Sequence, residues 1–230
     1  MIEFGCRFRQ LFFIEIVIRT TFYIDGFNFY YGLRNKARED NSWKKYYWID
    51  FVKFCEQFLG PDQTLIKVKY FSAPPLNIGK QSRQSALFKA NKLLNSEKFE
   101  IIKGKYYKKN LTCQICNGVY QIPEEKRTDV NISVHLIGDC ALGKTDNLIL
   151  VTADSDLVPP IEFLKKNYPS NKIKIYFPPK NSSADLLNIA NRKVVFLENN
   201  KHKFQNSIMP DIIYNSDRTD SATIPHEWKS

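Results

Sequence analysis

Ile149-Leu150-Val151-Thr152-Ala153-Asp154-Ser155-Asp156-Leu157-Val158-Pro159-Pro160 is the stretch whose reading decides the fold. An apolar β-type run stops at two aspartates one residue apart, and a helix-like segment follows. The same logic recurs near the N-terminus at Thr21-Phe22-Tyr23-Ile24-Asp25-Gly26-Phe27-Asn28. A carboxylate at the end of a buried strand is costly unless it is paired or holds a cation. Two such strand ends point to a divalent-metal site.

Working outward, strands and helices alternate. Phe22 to Ile24 reads as a buried strand, with Ile16-Val17-Ile18 either extending it backward or forming a strand of its own. Asn28 to Lys36 reads as a helix. So does Asp50 to Leu59, where Phe51, Phe54, Cys55 and Phe58 fall at helical spacing before Gly60-Pro61. Leu65 to Phe71 alternates as a strand. Ser82 to Ser96 is a helix with Leu87, Ala90 and Leu94 on one face, and Phe99 to Ile102 is a strand. Cys113 to Pro123 reads as a loop or hairpin. Asp129 to Ala141 is a helix whose expected buried stripe is Val130, Val134, Ile137 and Ala141. Leu148 to Thr152, Lys172 to Phe177 and Val194 to Leu197 are strands, separated by helices at 160–167 and 183–191. The organisation expected is an N-terminal extension or leading strand over 1–20 and one domain over 21–200. That domain carries a basic, Cys-containing insertion over 104–124, and a polar, poorly ordered tail follows over 201–230. Such alternation implies an α/β fold with a mostly parallel sheet flanked by helices, and sites at the carboxyl ends of its strands.

Composition narrows the class. The chain has 230 residues, 43% hydrophobic, which is ample for a core and excludes a disordered chain. Its net charge of +10 favours a polyanionic partner, nucleic acid before membrane. Five cysteines at irregular spacing in a chain of this size indicate a reducing, cytoplasmic setting. Arg7, Arg9, Glu15 and Arg19 interrupt the apolar start, so neither a signal peptide nor a membrane span is expected.

Phosphodiester hydrolysis needs a nucleophilic water and neutralisation of developing charge, and one or two Mg²⁺ or Mn²⁺ ions supply both. These hard ions take carboxylate oxygens and keep several waters. The candidates are Asp25, Asp129, Asp154 and Asp156, with Asp139 and Asp146 further out. Each has a plain alternative. Asp25-Gly26 suits a turn, Asp129 and the Asp154/Asp156 pair suit helix starts, Asp139 suits a solvated helix position, and Asp146 suits a turn entering a strand.

Tyr23-Ile24-Asp25-Gly26-Phe27-Asn28-Phe29-Tyr30-Tyr31-Gly32, Lys126-Arg127-Thr128-Asp129-Val130-Asn131-Ile132 and Leu150 to Pro159 resemble, in order, the three signature blocks of NYN domains, within the PIN-like nuclease superfamily. The resemblance spans Thr21 to Leu197. It implies a three-layer, Rossmann-like (PIN-like) sheet, an acidic metal pocket and ribonuclease activity. By position, Asp25, Asp129 and Asp154 would ligate the metal, with Asp156 as a fourth ligand or water-positioning group. Asn28 would bind phosphate or orient Asp25, and Ser155 would be a minor polar contributor. Many relatives carry an acid six residues after the middle Asp, where this chain has His135. That weakens the case for a second metal unless Asp139 replaces it.

Two further stretches suggest contacts with the substrate. Lys98 to Lys109 holds lysines that can neutralise phosphates and tyrosines that can stack on unpaired bases. Lys103, Lys105, Tyr106, Tyr107, Lys108 and Lys109 are therefore RNA-binding candidates, joined by Arg34; a solvated edge strand is the alternative. Cys113-Gln114-Ile115-Cys116 has the spacing of half a zinc site, but no second pair appears, so zinc is not favoured. A site shared across a homodimer would complete it. The reading is an Mg²⁺- or Mn²⁺-dependent endoribonuclease acting on single-stranded or structured RNA, with no membrane partner. The alternative is an RNA-binding, regulatory NYN-like module without cleavage.

Overall fold

The computed structural model describes residues 17–229. Six parallel strands form the central sheet in the order β3-β2-β1-β6-β7-β8. They are β1 (Ile18–Asp25), β2 (Gln63–Ser72), β3 (Phe99–Lys103), β6 (Asn147–Val151), β7 (Lys172–Phe177) and β8 (Val194–Phe196). β4 (Lys105–Thr112) and β5 (Val119–Lys126) make a separate antiparallel hairpin. Ile18 opens β1 and so extends the strand backward from Phe22, while Val17 precedes it and Ile16 lies outside the described residues. Residues 1–16, including most of the expected extension, lie outside the described residues.

Alternation along the strands sorts the side chains into two cores. Phe22, Ile24, Val68, Tyr70, Ile149 and Val151 face one layer. There they meet α1 (Gly26–Glu39), α2 (Phe51–Glu56) and α3 (Ile78–Asn95) through Phe29, Leu33, Phe51, Phe54, Leu87 and Ala90. Tyr23, Phe71, Leu148, Leu150, Ile175 and Phe177 face the other layer. Their partners are Ile132 and Leu136 of α4 (Thr128–Ala141), Ile161 and Leu164 of α5 (Val158–Asn167), and Leu186 of α6 (Ala184–Ile189). This is the expected α/β, three-layer arrangement. The chain leaves β1 through α1 towards β2, whereas β6 lies on the other side of β1. The carboxyl end of β1 is therefore a topological switch point, the place where such sheets build sites.

Three expectations need correction. The buried stripe of α4 is Thr128, Ile132, Leu136, Asp139 and Cys140, while Val130 and Val134 are 65% and 63% exposed. Asp139 is the reason: a buried acid interrupts the core face, so the opposite valines look like the better stripe. On α3, Asn91 rather than Leu94 is buried. Its side chain accepts from Phe51 N–H at 2.8 Å and donates to the Ile49 and Leu87 carbonyls.

Thirdly, the region beyond residue 200 is not a loose polar tail. α7 (Lys201–Asn206), β9 (Ile212–Tyr214) and β10 (Ser221–Thr223) are ordered elements, and Phe204, Met209, Ile213, Ala222 and Trp228 join the first core. Phe204 packs its ring against Phe29, Trp43, Tyr46 and Phe54. Apolar residues are few in this segment, but these five are buried in that core, while Ile212 and Tyr214 stay exposed.

Candidate metal centre

Asp25, Asp129 and Asp154 each offer a carboxylate oxygen, and these oxygens all lie within 4.8 Å of one another. Three different local structures bring them together. Asp25 ends β1 and caps α1, its Oδ1 accepting from Asn28 N–H at 3.1 Å. Gly26 follows because α1 starts against β2. A Cβ there would stand 2.6 Å from the Phe71 carbonyl oxygen and would overlap the Tyr70 ring. Asp154 stands just beyond β6 and caps the next turn, accepting from Asp156 N–H at 3.0 Å. Asp129 lies in the first turn of α4. Arg127, in the left-handed region with φ 79°, turns the chain from β5 into that helix.

The two strand ends are also tied to each other. Thr152 Oγ1 donates to Asp25 Oδ2 at 2.8 Å and accepts from Asp154 N–H at 3.0 Å. Asn28 Nδ2 donates to the same Oδ2 at 2.6 Å. A carboxylate has roughly four acceptor positions. Asp25 thus has three occupied and one left, with its side-chain rotamer fixed.

The electrostatics are those of crowded acids. Burial raises the pKa of Asp25, its hydrogen bonds oppose the shift, and Asp154 adds to it. Asp129 is pushed up to about 6, first by the desolvation of its carboxyl, then by Asp154, Asp25, Glu125 and Asp156. Like charges at this separation favour a proton or a cation among them. The donor set of hard oxygens, with no side-chain hydrogen bond to the Asp129 carboxylate among the described residues and Asp25 and Asp154 only partly engaged, fits a divalent ion such as Mg²⁺ or Mn²⁺.

The remaining candidates divide. Asp156 lies at the rim, sharing a groove wall with Asp129. Ser155 is exposed and lines a different groove, with Asp185 and Asn188. Asp139 and Asp146 do not belong to this site. Asp139 lies about 15 Å further along α4 than Asp129. It is a buried ion-pair partner of Lys69 at 2.6 Å, not the solvated helix residue expected. Asp146 precedes β6, at the opposite end of the sheet, and pairs with Arg19 at 2.7 Å. His135 faces the Lys69 pair too, with Nδ1 3.1 Å from Lys69 Nζ.

Lys103 ends β3, while Lys105, Tyr107, Lys108 and Lys109 are exposed along β4. Tyr106 turns inward and donates to Glu125 Oε2 at 3.2 Å. Arg34 lies over the Tyr31 ring on α1. Cys113 and Cys116 occupy the turn of the hairpin as free thiols, and among the described residues no group of acidic, His and Cys side chains that could hold a metal includes them. Glu125 escaped the sequence reading. It accepts from Thr128 Oγ1 at 2.5 Å and adds to the field on Asp129. Its position four residues before Asp129 was visible, but the surrounding lysines gave it the look of an ordinary surface charge.

The model of the NYN domain family matches residues 19–198. The chain belongs to the NYN domain family. Among curated proteins, this NYN domain protein is similar to 6-hydroxy-3-succinoylpyridine 3-monooxygenase HspA of Pseudomonas putida (strain DSM 28022 / S16), 24% identical over 76% of this chain. The match spans 66% of that relative's length. Among solved structures, a protein of unknown function from Vibrio parahaemolyticus RIMD 2210633 shares the fold. Its TM-score is 0.51 at 18% identity, covering 78% of this chain and 93% of the other. Among the described residues, no helix is long and apolar enough to cross a membrane.

Proposed function

We propose that this NYN domain protein is a metal-dependent endoribonuclease acting on single-stranded or structured RNA. The observation that carries the reading is the convergence of Asp25, Asp129 and Asp154 at the switch point of the sheet. These three would hold an Mg²⁺ or Mn²⁺ ion, which when bound supplies charge neutralisation and a more acidic water. Thr152 and Asn28 fix the Asp25 carboxylate, so the ligand geometry is set before substrate arrives. Asp156, at the rim, positions water or accepts its proton. Lys103, Lys105, Lys108, Lys109 and Arg34 bind phosphates along the strand and steer it towards the acids. The test is cleavage of labelled RNA by purified protein in Mn²⁺ and in EDTA, alongside Asp154→Asn. Cleavage that survives EDTA, or that the substitution leaves unchanged, rejects the reading.

A second reading follows from the relative named for hydroxylation of a pyridine. An aromatic pocket beside the acids would also suit a flat heterocycle. Dioxygen uptake dependent on a hydroxypyridine and an added reductant, without RNA cleavage, would favour it.

A further inference from the structure

Next to the acidic cluster lies a cavity of about 520 Å³, within the size range of small-ligand sites. It opens at the carboxyl ends of β1 and β2, where Gly26, the residue after Asp25, and Ser72 reach its wall. Its sides are aromatic. Phe27 and Tyr31, one turn apart on α1, pack with ring centroids 4.4 Å apart and planes tilted by 43°, and Arg34 continues the row over Tyr31. Phe27 is 44% exposed at this wall, so its ring face is open to a ligand. Tyr106 closes the far side from the β4–β5 hairpin.

Besides the tyrosine hydroxyls, the polar groups come from α3, the turn before it and Ser72 at the end of β2. Gln84 Nε2 donates to Ser72 Oγ at 2.9 Å and to the Ala73 carbonyl at 3.3 Å. That fixes the amide and leaves its carbonyl oxygen, and the Ser72 hydroxyl hydrogen, for a ligand. Lys80 adds positive charge from the first turn of α3, while Arg83 at the same wall is paired with Glu227 at 2.6 Å. The cavity is coupled to the metal centre through Tyr106, whose hydroxyl donates to Glu125, the same carboxylate that Thr128 holds and that acts on Asp129.

We propose that this cavity is a nucleobase pocket: it takes one unpaired base of the RNA strand whose neighbouring phosphate meets Asp25, Asp129 and Asp154. The site rests on the nuclease reading for the placement of that phosphate. Aromatic walls stack a base of any identity, and the fixed amide and hydroxyl read its edge. A duplex would be disfavoured, because a paired base must give up its pairing and stacking to enter.

The experiment has a binding arm and a cleavage arm. In EDTA, calorimetric titrations with AMP, CMP, GMP and UMP are compared with ribose 5-phosphate and with 6-hydroxynicotinate. At least one mononucleotide is expected to bind 10-fold or more tightly than ribose 5-phosphate. Phe27→Ala is expected to weaken that binding about 10-fold, equivalent to about 1.4 kcal/mol, and Phe27→Trp to retain it. Equal binding of ribose 5-phosphate, or no effect of Phe27→Ala in a protein with an unchanged circular dichroism spectrum, overturns the pocket. Binding of 6-hydroxynicotinate without any mononucleotide overturns it in favour of a small heterocycle.

The cleavage arm uses a single-stranded oligoribonucleotide in Mn²⁺, with one position at a time made abasic. Cuts suppressed beside one abasic position support the pocket, and cuts indifferent to every abasic position overturn it while leaving the nuclease reading intact. No cleavage, together with base-selective binding in EDTA, overturns the nuclease reading and supports the pocket as a nucleotide site.

Discussion

Asn28 holds Asp25 at both carboxylate oxygens, its backbone N–H on Oδ1 at 3.1 Å and its side-chain Nδ2 on Oδ2 at 2.6 Å. One residue thus caps α1 and aims a metal ligand, which couples the start of the helix to the geometry of the site. Asn28→Ala removes the second contact and leaves the first. Divalent-ion affinity is expected to fall about 10- to 100-fold, as for other residues that orient a ligand, while the fold survives. Titration with Mn²⁺ followed by paramagnetic relaxation of water measures it; an unchanged affinity would show that Thr152 and the residue-28 backbone N–H suffice to fix Asp25.

The crowded acids give a pH dependence of defined sign. Asp129 has its folded-state pKa raised to about 6, and that of Asp25 is raised as well. Without a cation, protonated carboxyls favour the folded state. This contribution is present below the ordinary carboxylate pKa and is lost as pH rises through about 6. A divalent ion takes the deprotonated form and reverses the trend. The rise in Tm produced by Mn²⁺ should therefore be small at pH 5 and grow through pH 6 to 7, and Asp129→Asn should flatten the profile. Differential scanning fluorimetry with and without EDTA reads both. A Tm increment independent of pH would place the ion elsewhere.

Much of this architecture was legible because strand ends announce themselves. Val151 to Asp154 and Ile24 to Asp25 pass from apolar to acidic within a few residues, and both acids lie at the carboxyl end of the same sheet. What was illegible depends on partners distant in sequence. The core face of α4 contains Asp139, which periodicity assigns to solvent until Lys69 of β2 is placed against it. Phe204 and Trp228 look like stray aromatics in a polar segment until the first core surrounds them. The cavity beside the acids draws on α1, the 73–77 loop, α3, β4 and Trp228, so no local motif encodes it.

The Lys69–Asp139 pair is buried on both sides, and Tyr23 donates its hydroxyl to the same Oδ2 at 2.7 Å. Removing one member leaves an uncompensated charge in the second core. Lys69→Met and Asp139→Leu should each cost about 3–5 kcal/mol, and the double substitution less than their sum. Tyr23→Phe should cost about 1–2 kcal/mol. Urea unfolding provides the values. Additive losses in the double variant would show that the two charges do not stabilise each other. RNA cleavage measured well below the unfolding midpoint should stay near wild type, since the pair lies far along α4 from Asp129.

The C-terminal segment should behave as core. Phe204→Ala opens a cavity among Phe29, Trp43, Tyr46 and Phe54 and should cost about 3–5 kcal/mol. Deletion of residues 201–230 should leave that aromatic cluster uncovered and yield an aggregating product. A soluble truncated chain with unchanged Tm would restore the view of this region as a dispensable tail.

The hairpin turn makes two neighbouring thiols chemically unequal. The N–H groups of Cys116 and Ile115 point at the Cys113 sulfur, and with the Cys116 thiol they draw its pKa below the ordinary value. Cys55 is fully buried and is pushed well above it, and burial also raises Cys140, to about 11. A lowered pKa means more thiolate at neutral pH, and the thiolate is the reactive form. Near pH 7, iodoacetamide should therefore modify Cys113 before Cys116 and leave Cys55 and Cys140 largely untouched. The Cys113 rate should stay high at a pH where an ordinary thiol has already slowed. Peptide mapping by mass spectrometry across a pH series distinguishes the sites. Equal rates and equal midpoints for Cys113 and Cys116 would mean that the turn does not hold its N–H groups on the sulfur in solution, and would remove the structural basis for a thiolate at this tip.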